Sequence, residues 1–437
     1  MKTDEGLVRS VGVVGLSAGM INYMIGAGIF VLPALVAARV GAAAPVIYLI
    51  CAITMGLIVA CFADAGSRVC LTGGTYAYAE VAFGPYAGFI VATSLTSGSA
   101  MLSVAAVSNV FVDTLAKMSP VFAFPVLRAA TLAALFGVFA WVNFRGVKGG
   151  SRVVKTVTAA KLTPLIILIG IGFFFIQPSN LAWPGLPPVG EIGRTVVMLL
   201  FAFLGIESAL TPSGEVRDPA RTVPRAIFTA LIAVAVIYLA LQLVAQGILG
   251  AELAANTTSP LAATAKRILG AAGEFLILIA TAISTLGYVA GDMLATPRSI
   301  YALGRDKLLP SVFGSIHEKH RTPHVAIFSY AAISAGFAIT GSFNALLVLA
   351  VLATLIVYLI CCLATIKLQR MDVRAEGALP FKVPGGPVIP IIASVIVIWL
   401  MTSSTRQEFI AMGAMLLVET LVYLFIRARR VPVPTVS

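Results

Sequence analysis

Long runs of apolar residues, each bounded by charged residues, prolines or glycines, occupy most of the 437-residue chain. A helix needs about 20 mostly apolar residues to cross the hydrocarbon core of a bilayer. Twelve runs reach or approach this length, so the pattern predicts twelve membrane-spanning helices. Their predicted limits are 11–38, 42–66, 86–114, 122–143, 153–177, 192–212, 222–249, 270–299, 324–341, 344–367, 388–404 and 407–427.

The composition excludes most other classes of protein. Hydrophobic residue types make up 59% of the chain and charged types 11%, whereas soluble domains are about 45–50% apolar and about 25% charged. An ordinary soluble enzyme, a disordered chain and a nucleic-acid-binding domain are therefore all disfavoured. The predicted fold class is an all-α polytopic membrane protein that forms one transmembrane domain over residues 1–437.

The distribution of positive charge predicts the orientation in the membrane. If both termini are cytoplasmic, 22 of the 30 Lys and Arg residues fall in cytoplasmic segments and seven in outer loops, and Lys161 lies inside the fifth run. Cytoplasmic loops of membrane proteins carry such an excess of Lys and Arg. The bias predicts a multi-pass protein of the cell (cytoplasmic) membrane, and it explains the net charge of +12 without a nucleic-acid partner.

The first and sixth predicted helices contain residues that disfavour a continuous helix. Gly26, Ala27 and Gly28 lie near the centre of the first, and a helical glycine costs about 1 kcal/mol relative to alanine. In the sixth, Gly205 precedes Glu207, and an ionisable residue at bilayer depth indicates a functional site. Unwound backbone is tolerated in a membrane only where it lines a protected cavity. Close helix packing through small residues and a purely structural role for Glu207 remain the alternatives.

Interruptions in the first and sixth helices are typical of a five-plus-five inverted repeat. The predicted units are about 1–180, about 190–367 and two additional helices at about 388–427. In that arrangement the two breaks face each other at the middle of the membrane. The half-helix after Gly28 presents free N–H groups and the half-helix ending near Leu204 presents free carbonyl groups. The complementary ligand is a zwitterion such as an α-amino acid.

Six motifs, in order along almost the whole chain, resemble those of the amino acid–polyamine–organocation (APC) family of permeases. They lie at 26–30, 73–78 with 84–85, 201–207, 215–225, 298–310 and 380–387. The resemblance implies the LeuT-type fold, in which two inverted five-helix repeats are followed by two more helices. It also implies a secondary transporter, either a symporter or an antiporter.

The resemblance further implies a substrate site at the two breaks. The substrate carboxylate would meet N–H groups at Ala27 and Gly28, and its ammonium would meet carbonyl groups at Met24, Phe201 and Leu204. Phe201 would also be an aromatic lid between the site and the outside. Ala27 stands where a serine is common in the family, and Phe201 stands where the arginine–agmatine branch has a tryptophan, which weakens any cation–π contact. The other predicted substrate-binding residues are Gly26, Ala202, Phe203 and Gly205.

Lys161 and Glu207 are the predicted coupling or gating residues. Several relatives have a lysine at the position of Lys161, where sodium-coupled proteins of this fold hold an ion. An ammonium group there would repel sodium, so the resemblance favours proton coupling or substrate exchange. The alternative is that Lys161 extends to the inner membrane surface. Asp292 and Tyr288 of the eighth helix are further candidates, and Asp292 either faces the site or lies among the inner-loop arginines.

The predicted function is secondary active transport of an amino acid by alternating access. The alternative is a polyamine or amine transporter of the same fold, although a polyamine has no carboxylate for the N–H groups after Gly28. A membrane enzyme is disfavoured because the spans contain no histidine–carboxylate cluster, no Ser–His pair and no metal motif. No cofactor or metal is predicted. A receptor that retains the fold without transport is a further alternative.

Overall fold

The computed structural model describes residues 11–71, 73–146, 151–182, 185–210, 216–374 and 380–429. In these ranges the chain forms fifteen α-helices and no β-strand. Eight helical segments are long and apolar enough to cross a membrane, and four shorter apolar helices accompany them. The predicted all-α polytopic fold is therefore confirmed.

The helices follow one another in the order in which the apolar runs occur. They are α1 Val13–Met24, α2 Gly28–Val40, α3 Ala44–Arg68, α4 Thr75–Phe83, α5 Pro85–Thr93, α6 Met101–Met118, α7 Pro125–Arg145, α8 Ser151–Gly172, α9 Val189–Leu200, α10 Pro219–Leu249, α11 Pro260–Arg305, α12 His324–Thr340, α13 Phe343–Arg370, α14 Val388–Thr402 and α15 Arg406–Arg429. The first predicted span comprises α1 and α2, and the third comprises α5 and α6, which are joined by the π-helical segment Ser94–Ala100.

The largest difference from the predicted limits concerns the eighth span. Its predicted start at residue 270 is the kink at which two helical segments meet, because Gly270 has a non-helical φ of +67°. The segment before the kink begins at Pro260, ten residues earlier, so the whole run named α11 is longer than the predicted span. The predicted division between the ninth and tenth spans agrees with the structure: α12 ends at Thr340 and α13 begins at Phe343, and the Ser342 side chain accepts the Ala345 N–H at 3.3 Å.

The core of the bundle forms around α3, α10 and α13. Helix α10 packs along α3 and α1, and α13 packs against α3, α6 and α14. Helix α15, by contrast, exposes a row of large apolar side chains, as expected for a surface in contact with lipid tails. They include Leu417, Val418, Leu421, Leu424 and Phe425.

Helices α1 and α10 begin, and α3 and α13 end, at the same end of the bundle, which we call the basic end because Arg68, Arg221 and Arg370 lie there. Loop contacts connect these helix ends. The Arg217 N–H donates to the Val11 carbonyl at 2.9 Å, and the Phe381 N–H donates to the Ser67 hydroxyl at 2.9 Å.

Candidate functional site

The first span is interrupted in the middle. Helix α1 ends at Met24 and α2 begins at Gly28, and residues 25–27 are not helical. Small residues are needed here because other backbone and side-chain atoms come close. A Cβ on Gly26 would lie 3.3 Å from the Tyr288 ring, and a Cβ on Gly28 would lie 3.2 Å from the Ala202 Cα. The predicted break in the first helix is thus present.

The sixth span is interrupted at the predicted glycine. The α-helix α9 ends at Leu200, a 3₁₀ turn covers Phe201–Phe203, and Leu204 is extended. Gly205 follows with φ +105°, a backbone conformation that glycine adopts readily and other residues rarely. A Cβ on Gly205 would also lie 2.9 Å from the Tyr23 Cβ. The second break therefore packs directly on the chain that enters the first break.

Lys161 of α8 stabilises the first break. Its ammonium group donates hydrogen bonds to the carbonyl oxygens of Asn22 at 2.8 Å and Ile25 at 2.7 Å. The residue is 3% exposed, so its side chain does not extend to the membrane surface. A cation thus donates hydrogen bonds to main-chain carbonyl groups at the point where the helix is interrupted.

Glu207 stabilises the second break. One carboxylate oxygen accepts the Gly205 N–H at 2.9 Å, and the other accepts the Tyr358 hydroxyl of α13 at 2.9 Å. Glu207 is 2% exposed. The carboxylate replaces the main-chain carbonyl that would accept the Gly205 N–H in a continuous helix, and it connects the break to α13.

Tyr238 of α10 contacts both breaks, and the sequence reasoning missed it. Its hydroxyl lies 2.8 Å from the carbonyl oxygen of Met24 and 2.8 Å from that of Ala202. The ring of Phe203 packs edge-on against it, with the centroids 5.3 Å apart. The only signal in the sequence is a lone tyrosine within the apolar seventh run, which does not distinguish this role from ordinary packing.

The two breaks enclose a small cavity. Its lining is formed by Tyr23, Met24, Gly26, Ala27, Gly28, Ser103, Val107, Phe201, Leu204 and Tyr288. Seven of these ten are among the residues predicted from the sequence, and Tyr23 of α1 and Ser103 and Val107 of α6 are not. The space open to the centre of a water molecule is about 10 Å³, which is about what one water needs. The Phe201 ring closes one wall and packs edge-on against Phe343, 5.8 Å away.

The remaining predicted residues lie behind the walls of this cavity. Ala202, Phe203, Gly205, Glu207 and Lys161 are buried or packed at the two breaks as described above, and none of them is among the lining residues. Their contacts hold the backbone that forms the cavity.

Asp292 also lies outside the cavity lining. It is 8% exposed and accepts hydrogen bonds from the hydroxyl groups of Thr296, at 2.9 Å, and Tyr330. Within the described residues it therefore lies neither in the cavity wall nor in an ion pair with an arginine.

The predicted carbonyl acceptors differ in how far the protein already satisfies them. The Met24 carbonyl accepts the Gly26 N–H at 2.9 Å in addition to the Tyr238 hydroxyl. The Phe201 carbonyl accepts the Leu204 N–H at 3.4 Å, which is long for a hydrogen bond. Phe201 is thus better placed than Met24 to accept from a ligand.

Comparison with known proteins adds the family. The family model described as amino acid permease matches residues 11–424. The chain is 26% identical to the methylthioribose transporter of Bacillus subtilis (strain 168), with 98% of this chain and 95% of the relative covered. It is 25% identical to the branched-chain amino acid permease BcaP of the same organism, with coverage of 98% and 94%.

A further relative is the branched-chain amino acid permease BcaP of Lactococcus lactis subsp. cremoris (strain MG1363). It is 27% identical, with 87% of this chain and 86% of the relative covered. These relatives are transporters, not enzymes, and the family match extends over almost the whole described chain. The protein is therefore a multi-pass membrane transporter that belongs to the amino acid permease family within the APC group.

Proposed function

We propose that this protein moves a small apolar α-amino acid across the cell membrane by alternating access, with both termini in the cytoplasm. The observation that carries the proposal is that two helix breaks of opposite polarity line one cavity. Helix α2 begins at Gly28, and the first N–H groups of a helix have no partner within it, which favours a carboxylate. The chain leaving α9 at Phe201 and Leu204 supplies carbonyl groups, which favour an ammonium group.

The side chains around the cavity support an apolar substrate. Val107, Phe201 and Leu204 provide apolar wall, and the polar side chains among the lining residues are the hydroxyl-bearing Tyr23, Ser103 and Tyr288. A polyamine would be favoured by carboxylates in the cavity, but neither acidic candidate is among the lining residues. Two relatives are named as branched-chain amino acid permeases, which agrees with this choice.

Alternating access is supported by the size of the cavity and by the contacts at the basic end. A cavity with room for about one water admits an amino acid only when its lining residues move apart. At the basic end, Val11 and Val216 form a parallel β-bridge, and the Arg217 N–H donates to the Val11 carbonyl. Opening toward this end requires these contacts to separate. Breaks in the first and sixth spans also fit the proposed units of about 1–180 and about 190–367.

The position of Lys161 supports coupling to protons or to exchange rather than to sodium. Its ammonium group already binds the carbonyl oxygens of Asn22 and Ile25, which are the type of ligand a sodium ion would need. Two cations at the same pair of oxygens would repel each other strongly in a buried site.

A ligand screen tests the substrate class. Purified protein is heated with each α-amino acid, with cadaverine and putrescine, and with methylthioribose, and the shift in melting temperature is recorded. We expect the largest stabilisation from a small or branched apolar amino acid, because at equal concentration a ligand that binds the folded state more tightly stabilises it more, by RT ln(1 + L/Kd) at free ligand concentration L. Greater stabilisation by either diamine or by methylthioribose than by every amino acid would overturn the proposed substrate.

Transport and coupling are tested in proteoliposomes with the amino acid found in that screen. Uptake driven by an imposed proton gradient indicates symport, and uptake that needs unlabelled substrate inside indicates exchange. Uptake that needs a sodium gradient would contradict the proposed coupling, and binding without any flux would favour a receptor.

A further inference from the structure

A groove on the outside of the bundle, at the basic end, is separate from the cavity between the breaks. It lies between the first four turns of α10 and the loop before α14, and it has a space of about 530 Å³. The residues of α10 that line it are Ala220, Arg221, Pro224, Arg225, Phe228, Thr229 and Ile232, and Phe381 forms the opposite wall. The helical period places the arginines and the apolar side chains on one face of α10.

The groove has positive charge at one end. Arg221 and Arg225 are exposed and one helical turn apart, a spacing at which side chains on a helix are neighbours. The only acidic side chain paired with them within the described residues is Asp218, whose carboxylate lies 3.8 Å from the Arg221 Nε, with both side chains more than half exposed. Arg225 has no ion pair in the described part of the chain. Counted over the described residues, the end of the groove therefore has a net positive charge and donors for an anion.

The other end of the groove continues into apolar surface. Ile232 is 61% exposed, and Val236, one turn further, is 62% exposed. At 1.5 Å per residue, about 16 Å of helix separates Arg221 from Ile232, a distance comparable to one leaflet of the hydrocarbon core. The groove thus runs from a charged region near water toward the depth at which lipid tails lie.

The wall opposite α10 is held firmly in place. The Phe381 ring packs against Phe228, with the centroids 6.1 Å apart. Its backbone N–H donates to the Ser67 hydroxyl at 2.9 Å, and the Val383 N–H donates to the Asp64 carboxylate at 3.2 Å. Asp64 is fully buried and forms an ion pair with Arg68. The groove is therefore formed before any ligand arrives, which lowers the cost of binding.

We propose that this groove binds one anionic phospholipid, with its phosphate at Arg221 and Arg225 and an acyl chain along Phe228, Phe381 and Ile232. Arginine pairs recognise phosphate oxygens through several charge-assisted hydrogen bonds. In membrane proteins, basic pockets at the level of the lipid headgroups bind anionic headgroups. A phosphatidylcholine headgroup has a compensating cation and fits this charge less well. Because α10 begins next to the Val11–Val216 contact, the bound lipid stabilises the basic end.

The test is a lipid titration of the purified full-length protein in detergent. Dioleoylphosphatidylglycerol, dioleoylphosphatidylcholine, glycerol 3-phosphate and inorganic phosphate are each added, and binding is followed by native mass spectrometry. We expect phosphatidylglycerol to bind at least about tenfold more tightly than phosphatidylcholine. In the double variant Arg221→Gln/Arg225→Gln we expect the Kd for phosphatidylglycerol to rise about thirtyfold, because each basic residue near a membrane surface contributes about 1 kcal/mol.

The control is Lys319→Gln/Arg321→Gln, which removes the same charge from exposed positions in the loop between α11 and α12. We expect its Kd for phosphatidylglycerol to stay within about twofold of wild type, since these residues are outside the groove. Phe381→Ala should weaken the binding of dioleoylphosphatidylglycerol about fivefold and the binding of a short-chain analogue much less. The reason is that the change removes contact with the acyl chain.

Equal binding of the two phospholipids by the wild type would overturn the proposal. An equal loss of affinity for phosphatidylglycerol in the two double variants would overturn it as well. If inorganic phosphate or glycerol 3-phosphate competes as well as the intact lipid, the groove is a site for free anions and the proposal is wrong. The comparison of lipids with the wild-type protein decides the matter even where a variant does not fold. The melting temperature of each purified variant without ligand measures its folding, so a wrong substrate class would not affect the result.

Discussion

The two helix breaks are stabilised by opposite charges that reach them in different ways. At the first break, the Lys161 ammonium comes from another helix, 139 residues away in sequence from Asn22, and binds two carbonyl groups. At the second break, the Glu207 carboxylate is two residues from Gly205, whose N–H it accepts. Each charge forms hydrogen bonds with main-chain polar groups at its own break.

This difference predicts which contacts must change when an interrupted helix moves. The first break depends on a contact between α1 and α8, so a displacement of α1 requires the ammonium to leave its carbonyl groups. At the second break the hydrogen bond from Gly205 to Glu207 moves with the segment, and only the bond from Tyr358 of α13 has to change. We therefore expect the contact made by Lys161 to be the one that controls the movement of α1 during transport.

Lys161→Ala should have the largest effect. It removes both ammonium hydrogen bonds to the Asn22 and Ile25 carbonyl groups, and each hydrogen bond to a charged group contributes about 1.5–3 kcal/mol. We expect the initial rate of uptake in proteoliposomes to fall about a hundredfold at equal protein incorporation. The melting temperature of the purified protein should fall as well.

Lys117→Ala is the matched control, because Lys117 is an exposed lysine near the end of α6. Its uptake should equal that of the wild type. Undiminished uptake by Lys161→Ala would show that the first break does not depend on the ammonium, and the proposed difference between the breaks would be wrong.

Glu207→Gln should have an intermediate effect. The amide oxygen of glutamine still accepts the Gly205 N–H, so the local backbone geometry survives while the charge is lost. We expect uptake to fall about tenfold and the melting temperature to change by only a few degrees. The measurement is uptake together with thermal unfolding of the same preparations.

The control for this change is Glu252→Gln, since Glu252 is exposed and pairs with Arg267. It should leave uptake unaltered. A Glu207→Gln protein that transports at the wild-type rate would limit Glu207 to a structural hydrogen bond, which is the alternative that the sequence analysis left open.

The sequence predicted those features that interrupt a regular pattern. Twelve apolar runs predicted the helical spans, and glycines in the first and sixth runs predicted the breaks. Lys161 and Glu207 were conspicuous as charges in apolar surroundings. The predicted start of the eighth span at residue 270 matches the non-helical Gly270, but the helical segment that begins at Pro260, before this kink, was not predicted as part of the span.

Residues that resemble their neighbours could not be predicted as parts of the site. Ser103 and Val107 are one turn apart on α6 and line the cavity, but serine and valine are common on any face of a membrane helix. The partners of the two charges also depend on how helices distant in sequence pack together. Tyr358 donates a hydrogen bond to Glu207 although 151 residues separate them in sequence, and no local sequence pattern indicates such a pair.

Tyr238→Phe should have the smallest effect of the three changes, although Tyr238 is the residue that contacts both breaks. A phenol has a single proton, so at any moment its hydroxyl donates to either the Met24 or the Ala202 carbonyl. The variant therefore loses about one hydrogen bond, and uptake should fall only about threefold to tenfold. Tyr86→Phe removes an exposed hydroxyl that contacts Thr420 and should not change uptake. A loss as large as that of Lys161→Ala would mean that the connection between the two breaks, and not the ammonium at the first, limits transport.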